Sequence, residues 1–122
     1  MTSFDDALRA DVHPETGGWK ESSTAVRKKI SQLTSGSKGM WIGIASNGTD
    51  GARGRWNVKY KDHHMRHMAI VYHTSSDHFR KEMEADLVGF YGLKPKGYLD
   101  NVNEGGGGGH GSAPYVVYVA WN

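Results

Sequence analysis

The chain has 122 residues, enough for one compact domain and no more. Hydrophobic residues make up 37% and the formal net charge is +2, so one core under a well-hydrated surface is expected, and nucleic-acid binding is permitted by the charge without being demanded by it. The absence of cysteine excludes disulfides and thiolate zinc sites, and no apolar run reaches the ~20 residues of a membrane span. Met1 to Ala10 has two adjacent acids and no apolar run, unlike a signal peptide. An intracellular location, cytoplasmic or nuclear, is therefore expected. Nothing calls for a membrane or an obligate protein partner.

In chain order, residues 1–21 read as a peripheral segment. Phe4, Leu8 and Val12 form a short helical stripe, which Pro14, Gly17 and Gly18 break. A single domain is expected over residues 22–122. Ser22-Ser23-Thr24 followed by Val26, Ile30 and Leu33 predicts a capped amphipathic helix, with Arg27, Lys28 and Lys29 on its other face. Ser35 to Gly39 ends it. Met40 to Ala45 is an apolar run of strand length, followed by a Gly/Asn turn, Asn47 to Gly51. Ala52 to about Lys61 has helical spacing. Met68 to His73 predicts a second buried strand.

Ser75-Ser76-Asp77 then caps a helix carrying Phe79, Met83, Leu87, Phe90 and Tyr91, which Gly92 stops. Asp100 to Gly111 is irregular and contains five consecutive glycines. Pro114 introduces a last strand, Tyr115 to Trp121. This order predicts an α/β domain of α+β sandwich type: a small, mainly antiparallel three-stranded sheet flanked by helices.

Trp41, Arg55, Glu84 and Asn101, spread over strand, helix, helix and loop, are the candidates for phosphodiester cleavage. That reaction needs an activated water, a stabilised phosphate and a protonated leaving oxygen. Glu84 offers a single carboxylate, the way magnesium is usually held beside phosphate and water. Arg55 offers a bidentate fork for a phosphate. Asn101 offers hydrogen bonds to orient Glu84 or a turn, and a phenol nearby would position a water. Each has a plainer reading: Trp41 as core, Arg55 and Glu84 as solvated helix charges, Asn101 as an Asx turn. Arg53, Arg55, Lys59, Lys61 and Arg66, with Trp56 and Tyr60 interleaved, suit a phosphate track with stacking partners. His63 and His67 have i, i+4 spacing, but zinc needs further ligands and none is evident beyond His64.

The ordered set resembles the GIY-YIG nucleases. Trp41-Ile42-Gly43 is similar to the second half-motif, with Trp in place of Tyr. Gly54-Arg55-Trp56 is similar to the arginine helix, and Glu84-Ala85-Asp86-Leu87-Val88 to the glutamate helix. Asp100-Asn101-Val102-Asn103 is similar to the asparagine loop, with Asn101 preferred over Asn103. The resemblance implies a metal-dependent DNA endonuclease using Mg2+ or Mn2+. Its metal ligand would be Glu84, its phosphate clamp Arg55, and its remaining site residues Trp41, Asn101 and a tyrosine. The alternative it implies is a catalytically inactive nucleic-acid-binding module on the same scaffold.

No Gly-Ile-Tyr strand precedes Trp41. The last strand has that character, so a circularly permuted arrangement is expected, with Tyr115–Val119 beside Met40–Ala45 in the middle of the sheet. Tyr118 or Tyr115 would then supply the missing phenol. The two are three residues apart and face opposite sides of a strand, so they cannot both serve; Tyr118 is favoured.

Overall fold

The computed structural model describes residues 2–60, 65–92 and 111–122. Three strands, β1 (Met40–Ala45), β2 (His67–Thr74) and β3 (Tyr115–Trp121), form one sheet in the order β1-β3-β2. Both pairings are antiparallel, and the last strand of the chain lies in the middle. The expected three-stranded antiparallel sheet with flanking helices is therefore present, with β3 beside β1.

The central strand explains the layering. Val116 to Trp121 are all buried, as a strand covered on both faces requires. Alternation sends Val117, Val119 and Trp121 to one face and Val116, Tyr118 and Ala120 to the other. The first face is covered by α2 (Trp19–Leu33) through Val26 and Ile30, and by α4 (Asp77–Gly92) through Met83, Leu87 and Tyr91. The second is covered by α1 (Phe4–Ala7), by Ala52 of α3 (Gly48–Arg55), and by a π-helical turn, Trp56–Tyr60.

Several local expectations need correction. Helix α2 starts at Trp19 behind Gly18, and Ser22, expected at its cap, lies inside it and donates to the Thr16 carbonyl at 2.7 Å. The stretch read as a turn, Asn47 to Gly51, already opens α3. Helix forms there despite the glycines: the Gly48 amide donates to the Pro114 carbonyl at 2.9 Å, and Gly51 fits where a Cβ would stand 1.7 Å from the Ser46 carbonyl oxygen. By contrast, α4 begins where expected, with Ser76 Oγ accepting from the Phe79 amide at 3.1 Å.

The N-terminal segment is not peripheral. Phe4 and Ala7 are buried in the second core layer. Leu8 and Glu15 then make parallel bridges to Met68 and Tyr72 of β2, with the Arg9 amide donating to the Met68 carbonyl and the Glu15 amide to the Val71 carbonyl. This segment thereby satisfies the outer edge of β2.

Candidate active site

Gly43 is the geometric key. It lies opposite Tyr118 in the β1–β3 ladder. With no side chain at 43, the Tyr118 ring crosses the β1 backbone. A Cβ there would stand 2.4 Å from the phenol oxygen and 2.6 Å from Cζ. The Tyr118 hydroxyl then meets the Tyr60 hydroxyl at 2.7 Å, a buried hydrogen bond, with the rings edge-on at 5.6 Å. Trp41, two residues before Gly43 on the same face, sets its ring edge-on to Tyr60, also at 5.6 Å. Lys59 Nζ sits 4.1 Å from the Trp41 ring centroid.

Two charges converge on this aromatic cluster. Arg55 closes α3 just before the π turn, and Glu84 comes from α4, 4% exposed. Both act electrostatically on Tyr60, Tyr118 and Lys59. Burial pushes the Tyr60 phenol up to about 12; the Tyr118 hydrogen bond and Arg55 oppose that shift and Glu84 adds to it. Burial also pushes Tyr118 well above the usual phenol range, helped by Tyr60 and Glu84 and opposed by Arg55. At pH 7 the Tyr60 phenol is ionised in only about one molecule in 10^5. Both tyrosines are therefore protonated hydrogen-bonding groups at neutral pH, not resident phenolates.

The structure thus clusters Trp41 and Tyr118 around Tyr60, which the sequence suggested only as a stacking partner, with Arg55 and Glu84 in electrostatic reach. The stacking expectation is corrected for both aromatics of the turn. Trp56 is fully buried, its Nε1 donating to the Thr2 carbonyl at 2.8 Å, and Tyr60 is buried too, so neither ring face is open to a base. Arg53 is held by Asp5 at 3.0 Å and lies over Phe4, tying the N-terminal segment to α3. Arg66 is exposed, and its amide donates to the Trp121 carbonyl at 3.0 Å.

Tyr115 faces the other way, as strand parity requires, and stacks on Arg80 at 4.3 Å. His67 opens β2 and stacks on Trp121, so helical i, i+4 spacing from His63 does not apply to it. Asn101, Asn103, Lys61, His63 and His64 lie outside the described residues.

Sequence reasoning missed Arg80. It is fully buried one turn before Glu84, ion-paired to Asp77, with Nη1 donating to Ser46 Oγ at 3.1 Å. The signal was its spacing: Arg80 falls three residues before Met83 and seven before Leu87, on the core stripe of α4. The π turn was missed as well; such widened turns recur at functional sites.

The role of Gly43 is directly testable. Gly43→Ala is expected to cost about 1–3 kcal/mol in urea unfolding, because the phenol must leave its place against backbone. Gly54→Ala, where a Cβ meets nothing within 4 Å, is expected to be neutral or stabilising by up to ~1 kcal/mol. Equal effects of the two substitutions would refute the crossing of Tyr118 over β1. Comparison of the chain with protein-family models, curated proteins and solved structures returned no match.

Proposed function

We propose that this chain is a metal-dependent endonuclease that hydrolyses phosphodiester bonds in DNA, with a GIY-YIG-type site in circularly permuted order. One observation carries the reading: an arginine and a nearly buried carboxylate, from helices on opposite faces of the sheet, act together on a hydrogen-bonded tyrosine pair beside Trp41. A buried carboxylate is costly unless cations compensate it, which gives Glu84 a reason to be there only if it faces charge. The central place of β3, which delivers Tyr118, supports the permuted order.

The donor chemistry fits a hard cation. A lone carboxylate beside phosphate oxygens and waters suits magnesium or manganese; among the described residues no group of three or more His, Cys, Asp or Glu could hold a metal by itself, so the substrate must complete the shell. Glu84 would hold the ion, with phosphate oxygens and waters completing its shell. Once bound, the ion supplies charge stabilisation and acidifies a water. Arg55 clamps the scissile phosphate and neutralises charge on its oxygens. Tyr60 and Tyr118, both protonated at neutral pH, orient the attacking water by hydrogen bonds. Among the described residues no helix is long and apolar enough to cross a membrane.

Incubating the protein with supercoiled plasmid, duplex oligonucleotides and single strands, with magnesium, manganese or chelator, tests this. Metal-dependent nicking is expected. Binding without cleavage in every metal would favour the inactive binding module instead, a reading that the protonated, buried phenols also suit. Arg55→Lys is expected to lower the cleavage rate by about 10^2-fold or more, since an ammonium keeps the charge but loses the planar fork. Near-normal turnover in Arg55→Lys would reduce Arg55 to a background charge.

A further inference from the structure

We propose that Trp41 and Lys59 form one phosphate-binding unit at the rim of this site: Trp41 is a positioning residue whose indole face holds the Lys59 ammonium, and Lys59 takes a DNA phosphate adjacent to the one Arg55 clamps. The inference rests on the nucleic-acid reading above and assigns Trp41 a task that a tyrosine at the same place would perform less well. Indole is the best of the aromatic faces for a cation. The Lys59 ammonium lies 4.1 Å from the Trp41 centroid and 5.5 Å from that of Tyr60. Trp41 in turn is fixed edge-on against Tyr60, at an interplanar angle of 71°. The platform is therefore rigid, and a long flexible side chain is held in one place before any ligand arrives. Preorganisation of that kind lowers the entropy lost on binding.

Two further observations point to an anion as the ligand. Lys59 forms no salt bridge to a carboxylate among the described residues, in contrast to Lys29, Arg27 and Arg53, so its three N–H donors are not committed to a protein anion. Burial and the neighbouring Arg55 both lower the Lys59 pKa, with Glu84 opposing, so an arriving anion relieves a repulsion already present.

The test measures binding of a short fluorescent DNA duplex by anisotropy, in chelator and over a range of salt, so that cleavage does not intervene. Wild type, Lys59→Gln, Trp41→Leu, Trp41→Phe and the Lys59→Gln/Trp41→Leu double variant are compared after urea unfolding has verified that each folds. Lys59→Gln is expected to weaken binding several-fold and to reduce the salt slope by roughly one. Trp41→Leu is expected to do the same, and the double variant to be no weaker than Lys59→Gln alone. Trp41→Phe, which keeps a weaker ring face, is expected to fall between wild type and Trp41→Leu in affinity while keeping the full slope.

Losses that multiply in the double variant, or a Trp41→Leu protein that keeps the full salt slope, would overturn the proposal. So would a wild type that does not bind DNA. A wild type that binds with the expected coupling yet never cleaves with magnesium or manganese would sustain this unit and refute the nuclease reading.

Discussion

Glu84→Ala is expected to abolish DNA cleavage, by about 10^3-fold or more, while the protein stays folded. The two halves of this result have separate physical causes. A site with one carboxylate has no second ligand to keep the cation in place, so its loss removes several kcal/mol of transition-state stabilisation. The fold, however, does not depend on that carboxylate. Position 84 lies inside α4, where alanine is the best helix former, and a 4%-exposed carboxylate carries a desolvation cost that alanine does not. The urea midpoint should therefore hold or rise. Asp86→Ala supplies the contrast. Asp86 receives two hydrogen bonds from Arg27, at 3.1 and 2.6 Å, joining α4 to α2 on the far side from the aromatic cluster. Its removal should lower stability modestly and leave cleavage unchanged. Rapid cleavage by a folded Glu84→Ala protein would end the metal assignment.

What could be read in the sequence follows from how local each determinant is. Strands β1 and β3 match their expected bounds because an unbroken apolar run between Gly39 and Ser46, or after Pro114, has few alternatives. Helix α4 was legible from Ser76 and the stripe through Leu87. The start of α2 was not. Three hydroxyl residues in a row suggest a cap, but Trp19 packs against the core and draws the helix back to Gly18. The opening of α3 was hidden for a similar reason. Gly48 and Gly51 argue against helix locally, yet the Gly48 amide is held by the Pro114 carbonyl and Gly51 fits against Ser46.

At the site, strand parity put Tyr118 and Tyr115 on opposite faces, and the place of Tyr118 within the apolar run favoured it. The partnership of Tyr60 with Tyr118 had no such signal, because it depends on a π turn and on the missing side chain at Gly43. The burial of Trp56 was missed because charge interleaving describes a surface only if the aromatic residues share it. Here they occupy the opposite side of the turn.

Removing residues 114–122 is expected to leave no cooperatively folded protein. These residues are a terminal segment in sequence but the centre of the sheet in space. β1 and β2 each pair with β3 and not with each other, so the truncation would leave β1 with no ladder partner and β2 with only its bridges to the N-terminal segment. Buried backbone N–H and C=O groups without partners are rarely tolerated. The side-chain loss is as severe. Val116, Val117, Tyr118, Val119, Ala120 and Trp121 are all buried and contribute to both core layers. At about 1.5–3 kcal/mol for each large apolar side chain, their removal alone approaches the 5–15 kcal/mol by which domains are stable. Circular dichroism and urea titration of the truncated chain should show no sigmoidal transition. A soluble truncated chain with a cooperative transition would contradict the central place of β3. It would also remove the support this strand lends to a permuted nuclease site, since Tyr118 reaches Tyr60 only from the middle of the sheet.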